Sequence, residues 1–348
     1  MTLKPARFGG ISGFKSGLTL LFIVAVMALF AVGLSSALED QSPSQFIEQG
    51  STAPLPDFLN LLPAPPPGLG REASHLVFYS NRSAPQSLSS RAYELYRVDL
   101  DGSHLTQLTQ GSAYDLEPAW SPDGKSIALT VEREGNYEIF VMDADGAHPR
   151  QLTHFASNCL SLAWSPDSKA LAFVSDLSGD REIYLLSLRG DRRAPVNLTR
   201  FPDAEDSLPA WSPDGRQIAF VSDRGGKEDI YLMASDGSSV KRLTASPGMN
   251  TAPSWSPDGS RIAFVSDREG NSEIYVMKAD GTGIRRLTDH IAYDWSPAWS
   301  PDGKRIAFTS TRENPRERYN VFIMDADGSD LFQVTSGPFS DILPRWWP

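Results

Sequence analysis

The stretch Trp255–Gly281 (WSPDGSRIAFVSDREGNSEIYVMKADG) decides the fold, because its parts recur along most of the chain. Its opening string, Trp-Ser-Pro-Asp-Gly, occurs at Trp120–Gly124, Trp211–Gly215, Trp255–Gly259 and Trp299–Gly303, with a close variant at Trp164–Ser168. These tryptophans are spaced by 44, 47, 44 and 44 residues, and Trp346 follows 47 residues later. A period of this length indicates an array of one repeated supersecondary unit.

Each unit contains four short predicted strands. In one copy these are Pro209–Trp211, Ile218–Ser222, Ile230–Met233 and a fourth strand that ends in Leu243-Thr244. Asp214-Gly215 and Asp236-Gly237 supply tight hairpin turns, because glycine accepts a positive φ without strain. The second and third strands are almost continuously apolar, which predicts burial on both faces. Four-stranded units of this kind, arranged around an axis, form a β-propeller.

The two ends of the repeated region complete each other. His75–Ser80, Glu94–Val98 and Leu108-Thr109 correspond to second, third and fourth strands that lack a first strand. Ile342–Trp346 supplies a first strand with nothing after it. The sequence therefore predicts an all-β fold, a six-bladed β-propeller closed by pairing of N- and C-terminal strands in one blade.

Composition excludes several classes of function. The 348 residues carry a formal net charge of −11, and an acidic chain is a poor partner for nucleic acid, which binds basic surfaces. Cys159 is the single cysteine, which excludes an internal disulfide framework and multi-cysteine metal centres.

The N-terminal region differs from the repeats. Three basic residues precede Leu18–Leu34, in which Thr19 is the only polar side chain, a pattern typical of an export signal. We expect residues 1–37 to be a signal peptide or signal anchor, 38–74 a proline-rich spacer, and 75–348 the propeller. The chain is then extracytoplasmic, periplasmic or at the cell surface. It is either tethered to the membrane by residues 18–34 or secreted after cleavage near Ala37. We expect no other contact with the membrane.

The repeated tryptophans favour a structural role. One stands at the same register in every predicted blade, where its side chain can fill the wedge between neighbouring blades. The set comprises Trp120, Trp164, Trp211, Trp255, Trp299 and Trp346.

Topology divides the connections into two faces. The turns after strands one and three are short, whereas the loops after strands two and four differ from unit to unit. The most distinctive are Asn81–Tyr93, Thr311–Tyr319 and His154–Ser161. Variable loops on a rigid frame are where binding residues concentrate, so we expect a ligand on this face.

A recurrent polar position lies five residues before each tryptophan, at the predicted mouth of the axial channel. It is occupied by Asp115, Asp206, Asn250, Asp294 and Asp341, and by Cys159 in one unit. As candidate binding residues, the four carboxylates would attract a cation or a basic peptide. Alternatively, each caps its own turn or pairs with an arginine after strand two, such as Arg133, Arg224, Arg268 or Arg312.

Catalytic motifs are absent from the sequence. It contains no Gly-x-Ser-x-Gly nucleophile elbow and no Walker loop. His154 and His290 are the histidines expected on the variable-loop face, in non-adjacent blades, too few to build a metal site with the carboxylates. We therefore expect no catalytic residue, no metal and no cofactor.

The string at Trp255–Gly281 resembles the WD40-like (PD40) repeat of the TolB family, and the resemblance covers residues 75–348. It implies a periplasmic propeller that binds a lipoprotein, although TolB carries an α/β domain before its propeller where this chain has the apolar segment and spacer. Similar repeats occur in prolyl-oligopeptidase-type peptidases and in oligogalacturonate lyase, a metal-dependent enzyme.

Two functions remain open at this point. The first is a non-catalytic, monomeric binding module that recognises a protein or cell-envelope component through its variable-loop face. The alternative is a propeller enzyme, a metal-dependent lyase or hydrolase, with its site at the channel mouth.

Overall fold

The computed structural model describes residues 75–82, 93–108, 115–133, 135–143, 147–155, 157–189, 194–313 and 318–346. These residues form β strands in six four-stranded antiparallel sheets. Within these ranges no helix is long and apolar enough to cross a membrane. The predicted export segment and spacer, residues 1–74, lie outside the described residues, so their boundaries remain predictions.

The sheets follow one another along the chain as blades. Blade 1 comprises β1 (His75–Ser80), β2 (Glu94–Asp99), β3 (Thr106–Gln107) and the C-terminal β24 (Asp341–Trp346). Blade 2 comprises β4 (Asp115–Trp120), β5 (Ser126–Arg133), β6 (Asn136–Asp143) and β7 (Arg150–Gln151). Blade 3 comprises β8 (Cys159–Trp164), β9 (Ala170–Ser175), β10 (Glu182–Ser187) and β11 (Val196–Asn197).

The remaining blades repeat this order. Blade 4 comprises β12 (Asp206–Trp211), β13 (Gln217–Ser222), β14 (Asp229–Ala234) and β15 (Lys241–Arg242). Blade 5 comprises β16 (Asn250–Trp255), β17 (Arg261–Ser266), β18 (Glu273–Lys278) and β19 (Arg285–Arg286). Blade 6 comprises β20 (Asp294–Trp299), β21 (Arg305–Ser310), β22 (Asn320–Asp325) and β23 (Phe332–Gln333).

The six-bladed fold and its closure are confirmed. β24 pairs antiparallel with β1, with Trp346 opposite Leu76 and Asp341 opposite Ser80. The first strands of successive blades contact one another from β4 to β24, so they form the inner ring. Closure through the two chain ends leaves the short fourth strands as the outer edges.

The fourth strands are shorter than the sequence predicts. β15 ends at Arg242, one residue before Leu243, instead of continuing through Thr244. The Thr244 hydroxyl accepts a hydrogen bond of 2.9 Å from the Ile230 amide, so a side chain takes the place of a backbone partner there. The Leu-Thr pair therefore ends the strand, and the chain leaves the sheet toward the next blade.

A bulge in the first strands sets which side chains face a neighbouring blade. In β12 the pairing with β13 shifts register between Ser207 and Ala210, and Leu208 has a φ of 50°. Asp206 and Trp211 are five residues apart, so a regular strand would point them to opposite faces. The extra bulge residue brings both to the side facing blade 3. Ser161, Ala252, Ser296 and Leu343 have the same positive φ in their own first strands.

The two ends of the blades form two faces. The short-turn face carries the Ser-Pro-Asp-Gly turns after the first strands and the turns after the third strands, and β1 begins at this face. The variable-loop face carries the connections after the second and fourth strands. Most of the longest predicted loop, residues 83–92, lies outside the described residues, as do residues 314–317.

Candidate binding face

The recurrent polar position begins each first strand, just beneath the variable-loop face. The side chains of Asp206, Asn250, Asp294 and Asp341 are fully buried at the blade interfaces. Asp115 begins β4 in the same way, but its side chain is outside the described residues. The structure thus places the candidate residues at equivalent points of the ring, and the four side chains that it describes lie below its surface.

In blade 4, Asp206 pairs with the arginine that follows the second strand. Arg224 donates from Nη2 to Asp206 Oδ2 over 2.7 Å and from Nε to Ser222 Oγ over 2.8 Å. Its guanidinium also lies 5.3 Å and 5.2 Å from the ring centroids of Phe220 and Tyr231. This is the arginine-pairing alternative that the sequence leaves open.

Three other blades repeat the arrangement. Arg312 Nη2 donates to Asp294 Oδ2 over 2.6 Å, and Arg268 Nη2 donates to Asn250 Oδ1 over 2.6 Å. In the closing blade, Arg82 Nη2 lies 2.7 Å from both carboxylate oxygens of Asp341. Arg312 and Arg82 offset the charge of the acids they contact, and all three guanidiniums anchor the start of the loop after the second strand.

Blade 3 departs from this pattern at two positions together. Cys159 replaces the acid and Leu177 replaces the arginine, so neither member of the pair is left without the other. Burial raises the pKa of the Cys159 thiol to about 12. The thiol therefore stays protonated near neutral pH and is a poor nucleophile.

A second set of buried acids, which the sequence analysis did not single out, lies at or near the start of the third strands. Glu138, Glu182, Asp229 and Glu273 are each at least nine-tenths buried. The Thr288 hydroxyl of the Leu-Thr pair donates to Glu273 Oε2 over 2.6 Å, and the Thr244 hydroxyl donates to Asp229 Oδ1 over 2.8 Å. The sequence carries a signal for this set, since an acid precedes the apolar part of five of the six third strands, with Asn320 in blade 6, and a threonine follows each fourth strand.

These acids also hold the loops that lead to the next blade. Glu182 Oε1 accepts a hydrogen bond of 2.9 Å from the Phe201 amide, and Glu273 Oε1 accepts one of 2.8 Å from the His290 amide. Across the interface, each acid faces the first residue of the next blade, as Asn250 Nδ2 shows by donating to Asp229 Oδ1 over 2.7 Å. The position that the sequence selected and the acid that it missed thus form one buried layer under the variable-loop face.

Burial shifts the proton affinities of two of these groups. It raises the pKa of Glu182 to about 7, and the nearby carboxyl of Asp206 adds to this rise. It also raises the pKa of Asp294 to about 6, where the charge of Arg312 opposes the rise and that of Glu273 adds to it.

The tryptophans lie between blades. Trp211 packs with residues of blades 3 and 4, and its indole Nε1 donates to the Ala163 carbonyl over 3.2 Å. Trp164, Trp255 and Trp346 donate to the first strand of the preceding blade in the same way, over 2.7, 3.1 and 2.9 Å. Trp120 and Trp299 end β4 and β20 at the same register.

The loop between blades 5 and 6 is fixed by polar contacts on both sides of its apex. Asn271 Nδ2 donates to the carbonyls of His290 and Ala292 over 2.8 and 2.6 Å. The Tyr293 amide donates to Thr311 Oγ1 over 3.0 Å. Between these anchors the Ile291 side chain is 92% exposed.

Across the part of the chain that the structure describes, no group of three or more histidine, cysteine, aspartate or glutamate side chains could hold a metal ion. His154 and His290 are exposed on the variable-loop face, in connections that leave different blades. Among the described residues their imidazoles join no metal-binding group with the buried carboxylates, although the His290 backbone amide donates to Glu273.

Comparisons of the sequence with known proteins find similarity in part of the propeller. A family model described as the TolB beta propeller domain, PD40, matches residues 244–348. The Protein TolB homolog of Chlorobium luteolum (strain DSM 273 / BCRC 81028 / 2530) is 40% identical over 62 residues. That match covers 18% of this chain and 13% of the relative's length.

Solved structures extend the similarity over the propeller. TolB from Acinetobacter baumannii is 28% identical with a TM-score of 0.67, covering 80% of this chain and 67% of that one. Oligogalacturonate lyase in complex with manganese is 16% identical with a TM-score of 0.50, covering 64% and 65%, a likeness of fold alone. Together these matches confirm the resemblance drawn from the repeat string.

Proposed function

We propose that this chain, whose propeller is TolB-like and built of PD40 repeats, is a non-catalytic extracytoplasmic binding protein. In this proposal the variable-loop face recognises a protein or a cell-envelope component. The short-turn face and the blade interfaces supply the rigid frame.

The observation that carries the proposal is the exposed apex at Ile291. An isoleucine that is almost wholly in water on a loop fixed by side-chain and backbone hydrogen bonds gains nothing from the fold itself. Burying such a side chain against a partner contributes about 1.5–3 kcal/mol. Because the loop is already ordered, little conformational entropy is lost when a partner binds.

Other apolar side chains support the same face. Leu177, Phe201 and Tyr293 are 44%, 42% and 48% exposed, and all three lie in variable loops. Aromatic and branched apolar anchors on a polar surround are typical of protein-binding surfaces.

The recurrent position beneath the face takes a supporting role in this proposal. Asp115, Asp206, Asn250, Asp294 and Asp341 are the candidate residues of the channel mouth. Where their side chains are described, they are buried and bonded to arginines. They would contribute to binding by holding the arginines and loops in place, and any excess negative potential at the mouth would favour a basic partner.

The proposed location follows from the apolar segment Leu18–Leu34 and from the resemblance to TolB. The chain enters the propeller at His75, on the short-turn face. His75 is thus at the end of blade 1 remote from the variable-loop face.

An enzymatic role has less support. Cys159 is buried with a high thiol pKa, and the described acids are engaged with arginines, threonines and backbone amides. Metal analysis of the purified chain distinguishes the two functions. A stoichiometric transition metal would favour the metal-dependent enzyme over the binding protein.

The proposal is tested by exchanging single apolar side chains for aspartate. Ile291→Asp on the variable-loop face is compared with Ile284→Asp on the short-turn face, in the turn between β18 and β19, where Ile284 is also exposed. Envelope proteins are cross-linked to each variant in cells that produce the full chain, and the adducts are quantified. We expect about a thirtyfold loss for Ile291→Asp and little change for Ile284→Asp, since an anchor residue contributes about 2 kcal/mol and each 1.4 kcal/mol is a factor of ten. Equal recovery from both variants would contradict the proposal.

A further inference from the structure

We propose that Asp206 and Asp294 each share a proton with the acid across the blade interface, Glu182 and Glu273 respectively, so that two of the six interfaces respond to pH. This inference concerns the buried layer and stands independently of the proposed binding function.

The first observation is an unsatisfied oxygen at two equivalent positions. Asp206 Oδ1 and Asp294 Oδ1 are buried, and no donor of the described residues reaches either oxygen with good hydrogen-bond geometry. The Ser310 and Thr288 hydroxyls are near Asp294 and lower its pKa, but burial outweighs them. In both residues the other oxygen, Oδ2, accepts from an arginine, over 2.7 and 2.6 Å. A buried carboxylate oxygen without a donor is rare, because its lost hydration is not replaced.

The second observation is the interface between blades 4 and 5, where asparagine replaces the aspartate. Asn250 Oδ1 accepts from Arg268, as Oδ2 of the aspartates accepts from Arg224 and Arg312. Asn250 Nδ2 then donates to Asp229 Oδ1 over 2.7 Å. The Asn250 side-chain amide thus has N–H donors at the position where Asp206 and Asp294 have the unpaired Oδ1 atom. A proton held by the carboxyl pair would make the same hydrogen bond.

The surrounding charges differ between the two acid pairs. Glu182 accepts from the Thr199 hydroxyl and the Phe201 amide, and among the described residues Arg224 is the cation that contacts its pair. Glu273 accepts from Thr288, His290 and Asn271, and also forms an ion pair with Arg286 at 2.8 Å. Arg286 also pairs with the exposed Glu269 and Asp289, at 2.7 and 2.8 Å. With Arg312 on Asp294, the second pair still contacts two cations. The Glu182–Asp206 pair should therefore hold its proton to a higher pH than the Glu273–Asp294 pair.

The pKa values agree with this order. Burial and the neighbouring acid raise the pKa of Glu182 from 4.5 to about 7. Burial raises the pKa of Asp294 from 3.8 to about 6. A pKa raised in the folded state means that the native protein binds a proton that the unfolded chain has released. The stabilisation is therefore complete below about pH 4 and is lost as the pH rises through about 6 and about 7.

The acid pairs lie directly under the proposed binding loops. The same glutamates accept the Phe201 and His290 amides, which lead to the exposed Phe201 and Ile291 side chains. Loss of the shared protons would place two like charges in each interface and weaken the support of these loops.

The experiment measures thermal unfolding of the full chain between pH 5 and pH 8. One variant combines Asp206→Asn with Asp294→Asn, which copies the natural Asn250 arrangement. The matched opposite is Asn250→Asp, which creates a third carboxyl pair with Asp229. We expect the wild-type midpoint to fall by several degrees over this range, the double variant to fall less than half as much, and Asn250→Asp to fall more steeply. Equal slopes in all three proteins would overturn the proposal.

Proton counting provides a second readout. Unfolding the wild type with denaturant at pH 6 in weakly buffered solution should release one to two more protons than unfolding the double variant. If the double variant does not fold, Asn250→Asp decides the matter, because its extra pair must release more protons than the wild type. Equal release by the wild type and by every variant that folds would contradict the shared protons.

Discussion

The two faces of the propeller are built from the same repeat in opposite ways. On the short-turn face the turn acids are bonded within their own turns, as when Ser212 Oγ donates to Asp214 Oδ1 over 2.7 Å and Ser256 Oγ donates to Asp258 Oδ1 over 2.6 Å. On the variable-loop face the buried acids are bonded to side chains of other strands and loops, as when Arg224 donates to Asp206 and Arg82 donates to Asp341. The short-turn face is exposed and uniform, whereas the variable-loop face covers a buried layer of acids, arginines and threonines.

The acids of the two faces are stabilised in different ways. A turn acid in water keeps its hydration, and its serine lowers its pKa, to about 2 for Asp258. A buried acid under the variable loops has lost its hydration and depends on one or two specific partners. Removal of a partner should therefore cost little on the first face and much on the second.

The largest expected effect comes from the buried ion pair. Arg224→Ala leaves the Asp206 carboxylate buried without its cation and should lower the free energy of unfolding by about 3–5 kcal/mol. Arg216→Ala removes an exposed arginine that lies 3.9 Å from Asp214, and the change should stay within about 0.5 kcal/mol. Urea unfolding of the full chain measures both variants. If the two variants lost similar free energies of unfolding, the claim that the two faces are stabilised differently would be wrong.

A smaller effect is expected from a threonine hydroxyl. Thr244→Val deletes the hydroxyl that donates to Asp229 and accepts from the Ile230 amide, and it should cost about 1–3 kcal/mol. The control is Thr282→Val on the short-turn face, whose hydroxyl donates to the exposed Asp280. Its loss should be near zero in the same urea experiment. If Thr244→Val were as stable as Thr282→Val, the hydrogen bonds of the buried layer would not stabilise the propeller as we propose.

The parts of the fold that follow from local chemistry could be predicted from sequence. Asp-Gly turns, apolar strands and the tryptophan spacing fix the blades, and the missing first strand of blade 1 predicts closure through Trp346. The length of the fourth strands could not be read in this way. The Thr244 hydroxyl ends β15 through a contact with Ile230, and no local pattern distinguishes this from a strand that continues.

The sequence predicts the first-strand residues of the buried layer but not the third-strand acids. The position of Asp206 and its pairing with Arg224 could be proposed from their recurrence. Glu182 could not be predicted as buried, because an acid before an apolar strand is usually a solvated strand end. The bulge in β12, which turns Asp206 toward Glu182, has no sequence signal of its own. Ile291 gives no signal either, since an isoleucine in a loop is as compatible with a buried contact as with an exposed apex.

The most direct test of the binding proposal is photo-cross-linking in living cells. A photoreactive phenylalanine derivative is placed at position 291 on the variable-loop face or at position 238 on the short-turn face, both exposed in the structure. We expect a discrete cross-linked adduct from position 291 and none from position 238. An adduct from position 238 with none from position 291 would contradict the assignment of binding to the variable-loop face.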